Sequence, residues 1–334
     1  MSEQLPIELL KESRIQDWNE WRKNNPNVAL LMNNLDFSDL NLSGANLSKA
    51  HLDNAELSRS NLSQADFTDA SLISTHLINT NLSKTIFNHS NCTGSCFAGA
   101  DFSSATLSES IMDRCDFDKA SFKMARFVES SFVNSYMVNA RLSINDALFY
   151  SPDFSGADLR GADLSRQYLI GTDLSFANLS HANLSGSLLS RANLYGADLT
   201  ATNLKNANCF AATVVDTIFV GTVLIGCEMK YIDFSGCEFK NCSFQFAELN
   251  TANFKMARFL SCNLENSDLR TANMEGCLFR DCDLSGIMTY GWKAKKIKFD
   301  NCRIHYACFA KDGDRGGRTK IDNVEELLLT RIGN

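Results

Sequence analysis

Cysteine and histidine are the residue types in this sequence that could bind a metal ion or act as nucleophile and base. The chain contains 12 cysteines and five histidines. No two cysteines form a Cys-x-x-Cys motif, and no cysteine and histidine are paired at zinc-finger spacing. A catalytic site also needs several such groups that converge in a cleft. The spacing therefore predicts no metal ion, no cofactor and no enzymatic activity.

The positions of these residues become regular when the sequence is read in groups of five. Large apolar residues, which we call centres, recur at every fifth position from Phe37 to Leu142, and all 22 are Leu, Phe, Met or Cys. A small residue, such as Ala65 or Thr75, stands two positions before most centres. Eight cysteines occupy this small position, where a buried thiol acts as a small apolar group: Cys115, Cys227, Cys237, Cys242, Cys262, Cys277, Cys282 and Cys302.

A period of five matches neither the helical period of about 3.6 nor the alternation of a flat strand. Two residues separated by two positions lie on the same side of an extended segment. The other three positions are mostly polar, so the chain must turn a corner after each group. The pattern predicts an all-β solenoid with a narrow core. All five histidines fall at outward positions: His51, His76, His89, His181 and His305.

A second, 20-residue spacing suggests four groups per coil. Five centres repeat at this interval, as do four small-position cysteines: Phe219, Phe239, Phe259, Phe279, Phe299, and Cys242, Cys262, Cys282, Cys302. Stacked cysteines would be ~5 Å apart, a distance that permits a disulfide. The expected cytosolic location and the apolar packing favour free thiols instead.

The five-residue phase slips by two positions between Leu142 and Phe149 and then continues to Phe309. Either the extra residues at 143–148 form a bulge that preserves the stack, or they form a small kink between two parts of the solenoid. Two extra positions are too few for a linker, which favours the bulge.

Several groups follow the pattern Ala-(Asn/Asp)-Leu-x-x, among them 45–47, 157–159, 177–179 and 182–184. In this the chain resembles the pentapeptide-repeat family, and its leader resembles that of bacterial members. The resemblance covers residues 35–309 and implies a right-handed quadrilateral parallel β-helix. The groups of five would build about 14 coils, and at ~4.8 Å per coil a rod roughly 65 Å long.

Both ends of a solenoid need a cover, because they expose core and unpaired main-chain groups. Residues 1–34 are predicted to form a helical cap, with one amphipathic helix between Pro6 and Lys23. Residues 310–334 read as a charged linker followed by a short helix. That helix could fold back as a C-terminal cap or pair with a second chain in a homodimer, through Ile321, Val324, Leu328 and Ile332.

Residues 286–297 depart from the repeat. Trp292 would occupy a small position that it does not fit, so we expect an irregular loop in which the coil opens outward. An exposed tryptophan among lysines could bind an anionic or aromatic partner. The alternative is a solvated edge loop whose tryptophan folds over the last coils. The lysines concerned are Lys293, Lys295, Lys296 and Lys298.

The formal net charge is −7, and it is spread thinly. Residues 37–209 contain 12 basic and 17 acidic side chains, and residues 210–309 contain 11 of each. Charge alone therefore demands neither nucleic-acid binding nor imitation of nucleic acid. No apolar run of ~18 residues and no signal peptide are present, which predicts a cytosolic protein without a membrane segment.

Three functions follow as hypotheses. The leading one is a non-catalytic scaffold that presents a rigid four-sided surface to an unknown protein partner. The resemblance adds a second, protection of the topoisomerase DNA gyrase by imitation of DNA. Family members of that kind are shorter, strongly acidic and dimerise through a C-terminal helix, and the weak acidity here argues against it. The third is binding of an anionic surface or nucleic acid through Trp292 and its neighbouring lysines.

Overall fold

The computed structural model describes residues 6–307 except 139, 143–147 and 151. The chain forms two compact units, Met1–Tyr168 and Leu169–Asn334. Each unit is a β-solenoid, and together they contain about 13 turns. The predicted fold class is therefore confirmed, with a number of coils close to the expected one.

The strands are short, because a corner interrupts the chain within every group of five, and both helices precede these groups. The first unit contains α1 Ile7–Lys11, α2 Ile15–Asn24, β1 Leu30–Leu31, β2 Ala50–His51, β3 Arg126–Val128 and β4 Leu148–Tyr150. The second unit contains β5 Phe219–Val220, β6 Glu238–Lys240, β7 Arg258–Leu260, β8 Leu278–Arg280 and β9 Lys298–Asp300. All of the paired strands are parallel.

The regular coils have four sides each and follow a 20-residue register. Within each unit, parallel bridges join successive groups of five to the equivalent groups of the next coil. The bridges of one complete coil are Asn41↔Asn61, Asn46↔Asp66, His51↔Ser71 and Glu56↔His76. The suggested 20-residue register is thus confirmed in the first unit, and β5 to β9 repeat it in the second.

Main-chain hydrogen bonds explain both the stacking and the corners. The Leu47 N–H donates to the carbonyl of Asp66 on the next coil at 2.8 Å, and the Asp66 N–H donates back to the carbonyl of Ala45 at 3.0 Å. At the corner the Ala50 N–H donates to the Leu47 carbonyl at 3.1 Å. Lys49, inside that turn, has a φ of 59°, as the third residue of a type II turn requires.

The centres form columns of stacked rings in the core. Phe259 lies between Phe239 and Phe279, with ring centroids 4.9 and 4.6 Å away. The planes of Phe259 and Phe279 differ by 9°, because successive coils repeat the same backbone geometry with little rotation. The phenylalanine column predicted from the 20-residue spacing is therefore present.

Polar side chains at the small position form hydrogen bonds inside the core. The Thr80 hydroxyl donates to the Leu57 carbonyl at 3.1 Å, and the Thr222 hydroxyl donates to the Leu199 carbonyl at 2.9 Å. In both cases the acceptor belongs to the preceding coil and has the same offset in the sequence. A buried hydroxyl with such a partner carries little penalty, which is why Ser and Thr replace Ala so freely in this sequence.

The N-terminal cap consists of two helices, α1 and α2, and not of the single helix that was expected. The chain breaks between them at Ser13, whose φ is 54°. The solenoid also begins earlier than predicted, since β1 at Leu30–Leu31 already pairs with β2. The large residues Leu30 and Met32 are fully buried there.

Side chains of α2 replace the coil that is missing before the first one. The Trp18 indole donates to the Asn46 carbonyl at 2.9 Å, and the Asn19 side chain accepts from the Asn46 N–H at 2.8 Å. Arg22 donates to the Ser48 carbonyl at 3.1 Å. These main-chain groups would otherwise bond to a preceding coil, so the cap satisfies an edge that is costly to leave unpaired.

The phase slip produces one coil that is longer than the others by two positions, after which pairing resumes. Strand β3 pairs with β4 so that Phe127 opposes Phe149, and the bridge Ser131↔Asp153 follows with the same offset. The ladder therefore continues past the slip within the first unit, and the bulge itself stays a prediction. The segment predicted to carry the bulge, 143–147, lies outside the described residues.

Residues 286–297 do not form an irregular loop, and this prediction was wrong. The bridges Asp268↔Met288 and Asn273↔Lys293 keep the 20-residue register through the segment. Trp292 does occupy the small position and is only 5% exposed. It fits because the neighbouring centres are the small residues Thr289 and Ala294, so the total core volume is conserved although large and small positions are exchanged.

The exchange of the large and small positions at this coil can be tested by reversing it. Trp292→Ala should leave a cavity and destabilise the second unit by about 3–5 kcal/mol. Trp292→Ala combined with Ala294→Leu restores the usual order of small residue and large centre, and should recover most of that loss. The melting temperature of the purified variants provides the measurement.

Ala294→Leu alone is the matched control, since it adds volume to a filled core and should also destabilise. If the double variant loses as much stability as the two single variants combined, Trp292 and Ala294 do not fill one shared volume, and the explanation is wrong.

Candidate functional site

The outward Asp and Asn residues before the centres bind the backbone of their own turn. Asp66 accepts a hydrogen bond from the Thr68 N–H at 2.9 Å. Asn side chains in addition stack along one side, where Asn61 donates to Asn41 at 3.0 Å and Asn81 donates to Asn61 at 3.1 Å. These recurrent carboxylates and amides therefore stabilise corners and ladders, and they do not converge on a substrate site.

The five histidines lie at outward positions, as the repeat phase predicted. His76 lies 3.7 Å from Glu56 and His89 lies 3.4 Å from Glu109, each pair joining two successive coils. Within the described part of the chain, no group of three or more His, Cys, Asp or Glu residues could hold a metal ion. Neither of the two described helices has the length and apolar character needed to cross a membrane.

The cysteines at the small position replace Ser and Thr in the core. The Cys277 thiol donates to the Phe254 carbonyl at 2.8 Å, with the same 23-residue offset that Thr80 and Thr222 show. Burial raises the pKa of Cys277 to about 12, so the thiol stays neutral at physiological pH. All cysteines among the described residues are free thiols.

The four predicted lysines lie on one coil of the second unit, on two sides that meet at a corner. Lys293 and Lys295 are on one side, Lys296 is at the corner, and Lys298 is on the next side, and all four are exposed. Trp292 lies beneath them in the core and offers no ring surface for stacking, so its predicted role as an exposed partner of these lysines was wrong. The predicted C-terminal contact residues Ile321, Val324, Leu328 and Ile332 lie outside the described residues.

A group of exposed apolar side chains, the apolar band, runs over three coils of the second unit. Its members are Phe176, Tyr195, Val215, Ile218 and Val220, which are 36–63% exposed. Tyr195 and Val215 stand at the same position of successive coils, as the bridge Asn193↔Thr213 shows. Ile218 and Val220 flank the next centre, around the corner at Asp216.

Phe176 is the most unusual residue of the apolar band. Its φ is 58°, a conformation that bulky residues rarely adopt. Its ring packs edge-on against Tyr195 with centroids 5.1 Å apart. It also covers Gly196, where an added Cβ would come within 2.8 Å of the ring. The turn requires this conformation at other corners too, such as Lys49, so the unusual feature is the large aromatic side chain at an exposed corner.

The apolar band was not predicted from the sequence, because its residues do not interrupt the five-residue repeat. The signal was present in the phase itself, since these five residues are large and apolar at outward positions. Any large apolar residue directly before a centre, or one or two positions after it, points outward in this fold.

Two sequence models of repeat families match the chain. The one described as "Pentapeptide repeats (8 copies)" matches in overlapping segments from 36–72 to 95–134 and from 145–166 to 168–206. The one described as "Pentapeptide repeat region" matches residues 232–309. No functionally curated protein matches the sequence significantly.

Among solved structures, the chain is similar to HetL of Nostoc sp. strain PCC 7120, a pentapeptide repeat protein involved in the regulation of heterocyst differentiation. The two share 23% identity over 71% of this chain and 86% of HetL, with a TM-score of 0.23. QnrB1, a plasmid-mediated fluoroquinolone resistance protein, shares 16% identity over 69% of this chain and 94% of its own, with a TM-score of 0.27. A pentapeptide repeat protein of the Arabidopsis thaliana thylakoid lumen shares 21% identity over 39% of this chain and 69% of its own, with a TM-score of 0.19.

The structural role of the cysteines predicts selective alkylation. In the native protein at mildly alkaline pH, Cys277 should react with iodoacetamide at least about tenfold more slowly than Cys96, because only a thiolate that the reagent can reach reacts. Cys96 is partly exposed and serves as the internal control. Peptide mass spectrometry measures both rates.

In denaturant the two rates should converge, since the raised pKa of Cys277 arises from burial. Equal rates in the native protein would show that Cys277 is accessible and not a core residue.

Proposed function

The chain belongs to the pentapeptide-repeat family, and on that basis we propose that it is a non-catalytic scaffold that binds a protein partner through the apolar band. The observation that carries the proposal is the exposure of five large apolar side chains on adjacent coils. Exposed apolar clusters on soluble proteins commonly mark interaction sites.

Folding does not require the apolar band to be apolar. The equivalent outward positions elsewhere hold Ser and Lys, as at Ser175, Ser235 and Lys255. The core and the corners therefore do not explain why these positions are apolar, and binding a partner does.

The surroundings of the band indicate the kind of partner. Asp216 stands at the corner between Val215 and Ile218, and Asp198 is the bridge partner of Ile218 on the preceding coil. An apolar patch with an acidic rim matches a partner surface that is apolar in the middle and has basic residues at its edge.

Gyrase protection is the alternative function, and its basis is the family resemblance. Imitation of DNA requires closely spaced negative charge along the rod. In the first unit, basic side chains neutralise several outward carboxylates: Arg59 contacts Asp39 at 2.6 Å and Arg160 contacts Asp158 at 2.6 Å. A gyrase supercoiling assay would decide, and we expect no inhibition and no protection from gyrase inhibitors.

The scaffold proposal is tested by removing the apolar band. Tyr195→Ser together with Ile218→Thr makes two exposed positions polar and should leave the melting temperature within a few degrees. Affinity capture from the native cell with quantitative mass spectrometry should recover at least one protein with the wild type and lose most of it with this variant.

Ile73→Thr with Ile78→Thr is the matched control, because these residues are 38% and 37% exposed in the first unit. The control should capture the same proteins as the wild type. If the band variant and the wild type capture identical sets, or if nothing reproducible is captured, the proposal fails.

A further inference from the structure

Basic side chains line both sides of one corner of the second unit and form what we call the basic ridge. Lys295 lies one position after the centre Ala294, and Lys298 lies one position before the centre Phe299. Lys296, with a φ of 56°, is at the corner between them. The complete ridge consists of Lys255, Arg258, Lys293, Lys295, Lys296 and Lys298.

The same arrangement occurs twice along the ridge. Lys255 occupies the position of Lys295, and Arg258 that of Lys298, each two coils earlier. The register is fixed by the pairs Arg258↔Leu278 and Leu278↔Lys298, and by bridges between the matching residues on the other side. Two coils separate these levels by about 10 Å, so each side of the corner presents cations at two heights.

Most of this charge is not neutralised by the protein. Within residues 152–307, no carboxylate forms an ion pair with any of the four lysines of the last coil. Arg258 contacts Glu238 at 3.4 Å, but both side chains are about half exposed, so the pair is weak. Asp300 forms an ion pair with Arg280 at 2.8 Å. Glu275 is the single acidic residue between the two levels in these columns, and Glu238 and Asp233 stand one coil before the lower level.

Four unneutralised lysines in one coil repel one another and contribute nothing to the packing of the core. Their arrangement on both slopes of a convex corner indicates a ligand with two negative walls. The major groove of duplex DNA is about 12 Å wide and has a phosphate strand on each edge. A flat membrane surface would meet only one slope at a time.

We propose that the basic ridge binds the phosphate backbone of double-stranded DNA, with Lys295 and Lys255 contacting one strand and Lys298 and Arg258 the other. Single strands are poorer ligands for this surface, because their binding depends on exposed aromatic rings. None of the six ridge residues is aromatic, and Trp292 beneath them is buried. Contacts of this type are made to phosphates, so binding is independent of base sequence. The ridge shares no residue with the apolar band, and its test is therefore independent of the scaffold proposal.

The test is fluorescence anisotropy of a short labelled DNA duplex at several salt concentrations, with the full chain. Lys295→Glu combined with Lys298→Glu should weaken binding by about tenfold or more, and should reduce the slope of log K against log salt by about 2. Each single substitution should weaken binding to a similar extent, because each slope contacts its own strand.

Arg191→Glu with Lys205→Glu is the matched control, since it changes the net charge equally at two exposed positions outside the ridge. Its affinity should stay within about twofold of wild type. The proposal is overturned if the control weakens binding as much as the ridge variant, if only one slope matters, or if the duplex does not bind. It is also overturned if single-stranded DNA or phosphatidylserine vesicles bind more tightly than the duplex.

Discussion

Main-chain hydrogen bonds between successive coils are the constraint on which the rest of this structure depends. Within each unit, the groups of five bond to the equivalent groups of the next coil, so their side chains stand over their counterparts there. The phenylalanine column of the core, the asparagine ladder on one side and the paired levels of the basic ridge all result from this register. The longer coil at the phase slip obeys the same rule, because pairing resumes with a new offset after the extra residues.

The inward half of the fold could be predicted from the sequence because it is local and repetitive. A centre and a small residue in every group determine which side chains enter the core, and the Phe219 to Phe299 column followed from counting alone. Trp292 was misjudged because its position was considered by itself, whereas the core responds to the summed volume of Trp292 and Ala294. The cap contacts of Trp18 and Asn19 could not be predicted, since they depend on which main-chain groups the first coil leaves unpaired.

The outward half is less constrained by folding. Its functional surfaces could therefore be inferred from the structure but not easily predicted from the sequence. Almost any side chain is compatible with an outward position, so the apolar band and the basic ridge do not interrupt the repeat. Both surfaces lie along the same corner of the second unit, since Phe176 and Lys296 differ by a whole number of coils in the 20-residue register. The cytosolic location and the role of residues 321–332 in a cap or homodimer stay predictions.

The register itself can be measured directly by cross-linking. Lys240 and Leu260 stand opposite each other in β6 and β7, so cysteines at both positions should form a disulfide readily under mild oxidation, at the separation that such bonds require. Cysteines at Lys240 and Glu265 are one side of the coil apart and should not react. Mass spectrometry of the linked peptides gives the result, and preferential cross-linking of the second pair would contradict the 20-residue coil.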